Sequence, residues 1–178
     1  MKRRFIVVCN TSEEIVEFKQ LIARCISSSL MLSHGLREEA DLVITTTSDN
    51  FSIHFITHRI RGIRPDEASL CGILHKILLA KRAASERSRV VQSGVIVSTR
   101  PLKFFLIPFS KRYICHTSGL ELRNAFTKCE PVVFVVPLHP DVAINETDGV
   151  RLRTPVEKLW PDQVITILNI SLDRVCGR

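Results

Sequence analysis

Two hydrophobic rhythms alternate along this chain. Behind Arg4, Phe5-Ile6-Val7-Val8-Cys9 is an unbroken apolar run that ends at Asn10-Thr11, and it predicts a buried first strand. Thr11-Ser12-Glu13-Glu14 has the form of a capping box. Ile15, Phe18, Leu21, Ile22, Cys25 and Ile26 then recur at steps of three and four. They make the apolar stripe of one helix that reaches about Met31 or Leu32 and stops at His34-Gly35. Asp41–Thr46 and Phe51–Ile56 are rich in β-branched and aromatic residues, with Ser48-Asp49-Asn50 between them, so a hairpin-like pair is expected. Pro65-Asp66-Glu67 opens a second helix, whose period is carried by Leu70, Ile73, Leu74, Ile77 and Leu78.

Further on, Gly94–Val97, Tyr113–Cys115 and Val132–Val136 read as strands, and Leu102–Phe109 fits helix or strand equally. The last two strands lack alternation, as in parallel sheets covered on both faces. Pro155–Leu159 suits one helical turn, Val164–Leu168 a final strand and Leu172–Cys176 a short tail. Strands and helices mix throughout, which implies one α/β domain over residues 1–178, with a largely parallel sheet flanked by helices. No internal repeat or low-complexity segment interrupts it.

Composition narrows the picture only a little. Lys plus Arg is 25 and Asp plus Glu is 18, a net charge of +7, while 45% of residues are apolar and 24% charged. These are globular fractions. The positive balance suits a polyanionic partner or simply a basic soluble surface. No apolar run nears the roughly 20 residues that span a bilayer, and the apolar stretch behind Met1-Lys2-Arg3-Arg4 is too short for a signal peptide. A cytosolic protein with no membrane partner is expected.

Cysteines stand at 9, 25, 71, 115, 129 and 176 with no C-x-x-C among them. Free, mostly buried thiols are the expectation, and no metal. Dinucleotide, P-loop and nucleophile-elbow motifs are absent. His54 and His58 are four apart without further ligands nearby, and His34, His75 and His116 read as surface or satisfied residues.

Two basic stretches remain. The segment from Lys81 to Arg89 is either a solvated connector or a contact surface for phosphates. Arg59–Glu67 sets Arg59, Arg61 and Arg64 ahead of Asp66-Glu67. It reads as an arginine–carboxylate surface network or as a phosphate clamp, because guanidinium forks suit phosphate oxygens.

Five segments carry a resemblance. Leu32–Val43, Arg61–Glu67, Val90–Arg100, Gly119–Arg123 and Leu172–Arg174 resemble, in order, motifs of the archaeal tRNA pseudouridine N1-methyltransferases and their bacterial relatives. The matches span nearly the whole chain. That family belongs to the SPOUT class, so the resemblance implies a C-terminal trefoil knot, here about residues 110–178, an exception to the unknotted rule. It further implies a homodimer, S-adenosylmethionine held by three knot loops, and N1-methylation of pseudouridine at position 54 in the T-arm loop of tRNA. On this chain the cofactor loops map to Cys115, to Pro137, and to Thr154, Pro155, Val156 and Leu159, with Val164 just beyond. Arg37, Arg61 and Arg64 are the implied RNA contacts, and Asp66 is a candidate proton acceptor with helix capping as its other role. The chain departs from the family where glycines of the second and third loops are expected: Val136-Pro137-Leu138-His139 and Arg153-Thr154-Pro155-Val156 stand there. The alternative is a non-catalytic RNA-binding or scaffold homodimer of the same fold.

Overall fold

The computed structural model describes residues 2–81, 88–144, 149–154 and 158–177. Its centre is β1 (Arg3–Cys9), buried at every position. β4 (Ala40–Thr46) and β10 (Val132–Pro137) flank β1 in parallel. β8 (Lys111–His116) lies against β10, and β11 (Val150–Arg153) and β9 (Leu120–Glu121) complete that side, all parallel. On the other side β5 (Ser52–Ile56), β7 (Val95–Ser98) and β6 (Arg89–Gln92) add antiparallel strands. The nine-stranded order among the described residues is β6-β7-β5-β4-β1-β10-β8-β11-β9. The expected α/β sheet is therefore present, parallel in its C-terminal part and mixed overall. A small hairpin of β2 (Met31–Leu32) and β3 (Gly35–Leu36) stands apart.

Several elements differ from the sequence reading. The expected single N-terminal helix is two, α1 (Ser12–Glu17) and α2 (Lys19–Leu30), broken at Phe18. The Thr11 side chain does not cap α1; the Glu14 carboxylate reaches past it to the Asn10 N–H at 2.7 Å. α3 (Glu67–Lys81) starts where Pro65 marks it and buries Leu70, Ile73, Leu74 and Ile77. Leu102–Leu106 is helical (α4), and a short α5 (Leu122–Ala125) follows β9.

The expected strand at Val164–Leu168 and the tail after it are instead one helix, α6 (Pro161–Val175). Val164, Ile165, Leu168 and Leu172 are buried at helical spacing, and this burial overrides the β-propensity of the Val-Ile-Thr-Ile run. α6 packs on α2, with the Asn169 amide donating to Ser28 O at 2.8 Å. Pro161 and Asp162 give it a favourable first turn.

The cysteine expectation is corrected at one pair. Cys129 and Cys176 form a disulfide, their Cα atoms 5.1 Å apart, because the fold brings the loop before β10 beside the end of α6. Cys9, Cys25 and Cys115 are free and buried, and Cys71 is free and half-buried.

The chain order in the C-terminal part positions the site. After β8 the chain runs out to the edge strand β9, returns inside β8 as β10, then enters between β8 and β9 as β11. Gly119 lies where this path crosses itself. Its φ is +131°, and a Cβ there would stand 2.4 Å from Arg151 O, so only glycine permits the approach.

Candidate functional site

The carboxyl ends of β8, β10 and β11 all lie at one end of the parallel sheet, because the three strands run the same way. That end is where open α/β sheets offer a crevice for ligands. Among the described residues, two clefts open there. One, of about 260 Å³, is walled by Pro137, Leu138, Pro140, Leu159, Trp160 and Val164, with His139 and Lys158 as its polar groups. The other, of about 730 Å³, is lined by Thr117, Glu121, Leu122, Arg123, Arg153, Thr154 and Lys158. Lys158 is common to both. The first is a predominantly apolar slot; the second is wide, polar and basic.

The expected cofactor residues fall unequally on these clefts. Pro137, Leu159 and Val164 line the apolar slot together. Thr154 lines the wide cleft, its N–H bonded to His116 O at 2.8 Å. Cys115 is buried behind it: burial pushes its thiol up to about 12, against the neighbouring Thr154 hydroxyl. It therefore packs as a small neutral group. Pro155 and Val156 lie outside the described residues.

The proline in the second loop is accommodated. β8 pairs with β10 only as far as Val135, and on the other side Leu138, not residue 137, donates to Val8 O at 2.8 Å. Pro137 thus forfeits no ladder bond. Its ring becomes a wall of the slot in place of open backbone.

The expected RNA contacts separate into two kinds. Arg61 is exposed, donating to Ile60 O at 2.8 Å and lining a shallow groove with His58, Arg59, Val90 and Ser93. Arg64 is exposed as well. Arg37 corrects the expectation: it is only 8% exposed and its Nη1 lies 2.8 Å from Asp173 Oδ1 of α6, so its charge is spent inside the protein. Much of the basic stretch from Lys81 to Arg89 lies outside the described residues.

Asp66 caps α3. Its Oδ1 accepts the Ser69 N–H at 2.8 Å, and this bond holds its carboxyl below the usual range. Asp66, Arg61 and Arg64 line neither of the two clefts.

Sequence reasoning missed several cleft groups. Arg123 and Arg153 share Glu121, with Arg123 Nε at 2.7 Å and Arg153 Nη1 at 3.9 Å from its carboxylate. Trp160 is the chain's single tryptophan, 56% exposed on the slot. His139 was quoted only as part of a loop motif, yet it lines the slot and stands 3.4 Å from Glu14. No sequence signal links Glu14 to His139. Among the described residues, no group of three or more His, Cys, Asp or Glu side chains could hold a metal ion, and no helix is long and apolar enough to cross a membrane.

Comparison with known proteins places these clefts in context. Residues 18–176 match the family described as "Putative SAM-dependent RNA methyltransferase". The tRNA (pseudouridine(54)-N(1))-methyltransferase of Halobacterium salinarum is 27% identical, covering 86% of this chain and 81% of the relative. The enzyme of that name from Methanocella arvoryzae is 25% identical over 97% of this chain and 99% of its own length, and that from Methanosarcina mazei 29% identical over 86% and 77%. Archaeoglobus fulgidus Nep1, solved bound to S-adenosylhomocysteine, superposes over 100% of both chains with a TM-score of 0.68 at 9% identity. At that identity the likeness establishes the shared fold.

Proposed function

Because this chain belongs to that family of S-adenosylmethionine-dependent RNA methyltransferases, we infer that it methylates N1 of pseudouridine 54 in tRNA, as its relatives are named for doing. The observation that carries the reading is the pair of clefts joined at Lys158, one apolar and one basic, at the carboxyl ends of β8, β10 and β11.

The residues fit the cofactor. Pro137, Leu138, Leu159, Trp160 and Val164 give a slot with apolar walls for an adenosine ring. Thr154 adds the edge of the wide cleft, Cys115 supports it from behind, and Pro155 and Val156 complete the third loop in this reading. When bound, S-adenosylmethionine supplies a methyl group already activated on a sulfonium. The protein's part is to hold the ring nitrogen in line and to take its proton. The wide cleft beside the slot, with Arg123, Arg153 and Lys158, is electrostatically suited to a nucleotide turned out of its loop. Arg61 and Arg64 serve as more distant phosphate contacts. Asp66 stays an orienting carboxylate in this reading only if a second copy of the chain carries it to the cleft, since it lines neither cleft of its own protomer.

The path of β8 to β11, with its crossing at Gly119, supports a C-terminal trefoil knot over about residues 110–178. A cytoplasmic homodimer acting on tRNA without metal completes the proposal.

Isothermal calorimetry with S-adenosylmethionine, followed by thermal unfolding with and without it, tests the reading. Binding to the native state alone raises stability by about 2.7 kcal/mol at a hundredfold excess over Kd. No heat and no shift at millimolar cofactor would favour the non-catalytic RNA-binding dimer.

A further inference from the structure

The function above leaves open which group accepts the proton from N1. Resting on that function, we propose that His139 is the proton acceptor and that Glu14 positions it.

Among the described residues His139 is the one imidazole lining the apolar slot, which meets the nucleotide cleft at Lys158. It stands in the loop after β10, directly behind Leu138, whose N–H is tied to β1 at Val8 O, 2.8 Å away. The anchored strand end therefore limits where the ring can go. Its Nε2 is 3.4 Å from Glu14 Oε1, and both side chains are mostly buried, at 22% and 17% exposure.

Glu14 is itself fixed. The Asn10 backbone N–H donates to its Oε2 at 2.7 Å and the Asn10 amide to its Oε1 at 3.2 Å. Burial works to raise its carboxyl, but these bonds and His139 outweigh it and hold Glu14 below the usual range, so it is ionised. The helix break at Phe18 adds a wall: the Phe18 and His139 ring centroids are 6.1 Å apart.

A fixed carboxylate on one imidazole nitrogen sets the tautomer and stabilises the charged ring that forms when the other nitrogen takes a proton. Here Nε2 carries the hydrogen toward Glu14, which leaves the Nδ1 lone pair as acceptor. Among the described residues, Asp141, 94% exposed, also faces the ring with its Oδ2 3.8 Å from Nδ1, and Lys158 lines the same slot. In the balanced step, N1 of the pyrimidine keeps the electron pair of its N–H bond and uses it to bond the methyl. The C–S pair leaves with sulfur as a neutral thioether, and the N1 proton moves to His139 Nδ1. The ring is then an imidazolium paired with Glu14 until water removes the proton.

The test compares His139→Gln and Glu14→Gln with wild type on pseudouridine-containing tRNA. At saturating S-adenosylmethionine, His139→Gln should lower kcat at least roughly a hundredfold, with tRNA affinity within about twofold by calorimetry, and should flatten the acidic limb of the pH–kcat profile. Glu14→Gln should move that limb to lower pH, because the imidazolium loses its partner. In the free protein the imidazole nitrogen chemical shifts of His139 should report the Nε2–H tautomer and lose that preference in the same variant, a readout that needs no turnover. An unchanged kcat and an intact acidic limb in His139→Gln would overturn the proposal, as would loss of that limb in Asp66→Asn instead. An unchanged His139 tautomer in Glu14→Gln would remove Glu14 from it. A wild-type chain that binds no S-adenosylmethionine overturns the parent function, which distinguishes the two failures.

Discussion

Arginine meets opposite fates in the two regions of this sheet. Around β1 and β4 guanidiniums are sealed inside. Arg3 is fully buried, with Nη1 2.9 Å from Asp173, and Arg4 pairs with Asp41 at 3.1 Å. Arg37 shares the same Asp173 carboxylate. Around β9 and β11, Arg123 and Arg153 are 81% and 64% exposed on the wide cleft. Arg3 and Arg37 tie β1 and the β3–β4 connection to α6, and Arg4 ties β1 to β4; the second set faces whatever enters the cleft. A net charge of +7 counts both alike. What distinguishes them is burial: Asp173 and Asp41 are mostly buried with their guanidiniums, whereas Glu121 beside Arg123 and Arg153 is itself exposed.

The comparison can be broken from its interior side first. Asp173→Ala deprives two buried guanidiniums of a shared carboxylate and should cost about 3–5 kcal/mol, read as a lower urea midpoint with cofactor contacts untouched. On the cleft side, Gly119→Ala puts a Cβ against Arg151 O at a φ of +131°. We expect a loss of about 1–3 kcal/mol, together with weaker S-adenosylmethionine binding by calorimetry.

Acid sharpens the contrast further. Burial works to raise the Asp41 carboxyl, but the His54 and Arg4 donors outweigh it and hold it at about 2, below its ordinary 3.8. A depressed carboxyl stabilises the fold above its unfolded value and loses that contribution as pH falls toward its folded value. Asp41 should therefore contribute about 2 kcal/mol that disappears between roughly pH 4 and pH 2, and Asp41→Asn should flatten the unfolding curve in that window. Smallest is the effect of the exposed arginines: Arg61→Glu with Arg64→Glu should weaken tRNA binding roughly tenfold and reduce its salt dependence, without changing the urea midpoint.

The same contrast explains what was legible in the sequence. β1 and the β4–β5 pair are visible as local runs of apolar and β-branched residues, and α3 through the helical period of its buried positions. The α/β class follows from them. α6 was not, because Val164-Ile165-Thr166-Ile167-Leu168 satisfies strand propensity and helical spacing at once, and packing against α2 decides. β11 carries Arg151 and Arg153 around a single buried Leu152, so no apolar run announces it. At the site, Pro137, Leu159 and Val164, which the resemblance assigned to separate parts of the chain, line one slot. Arg37 was misplaced because its partner, Asp173, lies near the far end of the chain. The Cys129–Cys176 bond and the Glu14–His139 pair escaped for the same reason: each joins segments whose proximity exists only after folding.

The most direct test offers the protein labelled S-adenosylmethionine with two tRNAs, one carrying pseudouridine at position 54 and one carrying uridine there, followed by nucleoside analysis. The account predicts N1-methylpseudouridine in the first and no label in the second. A pseudouridine-containing tRNA left unmethylated by protein saturated with the cofactor would contradict it.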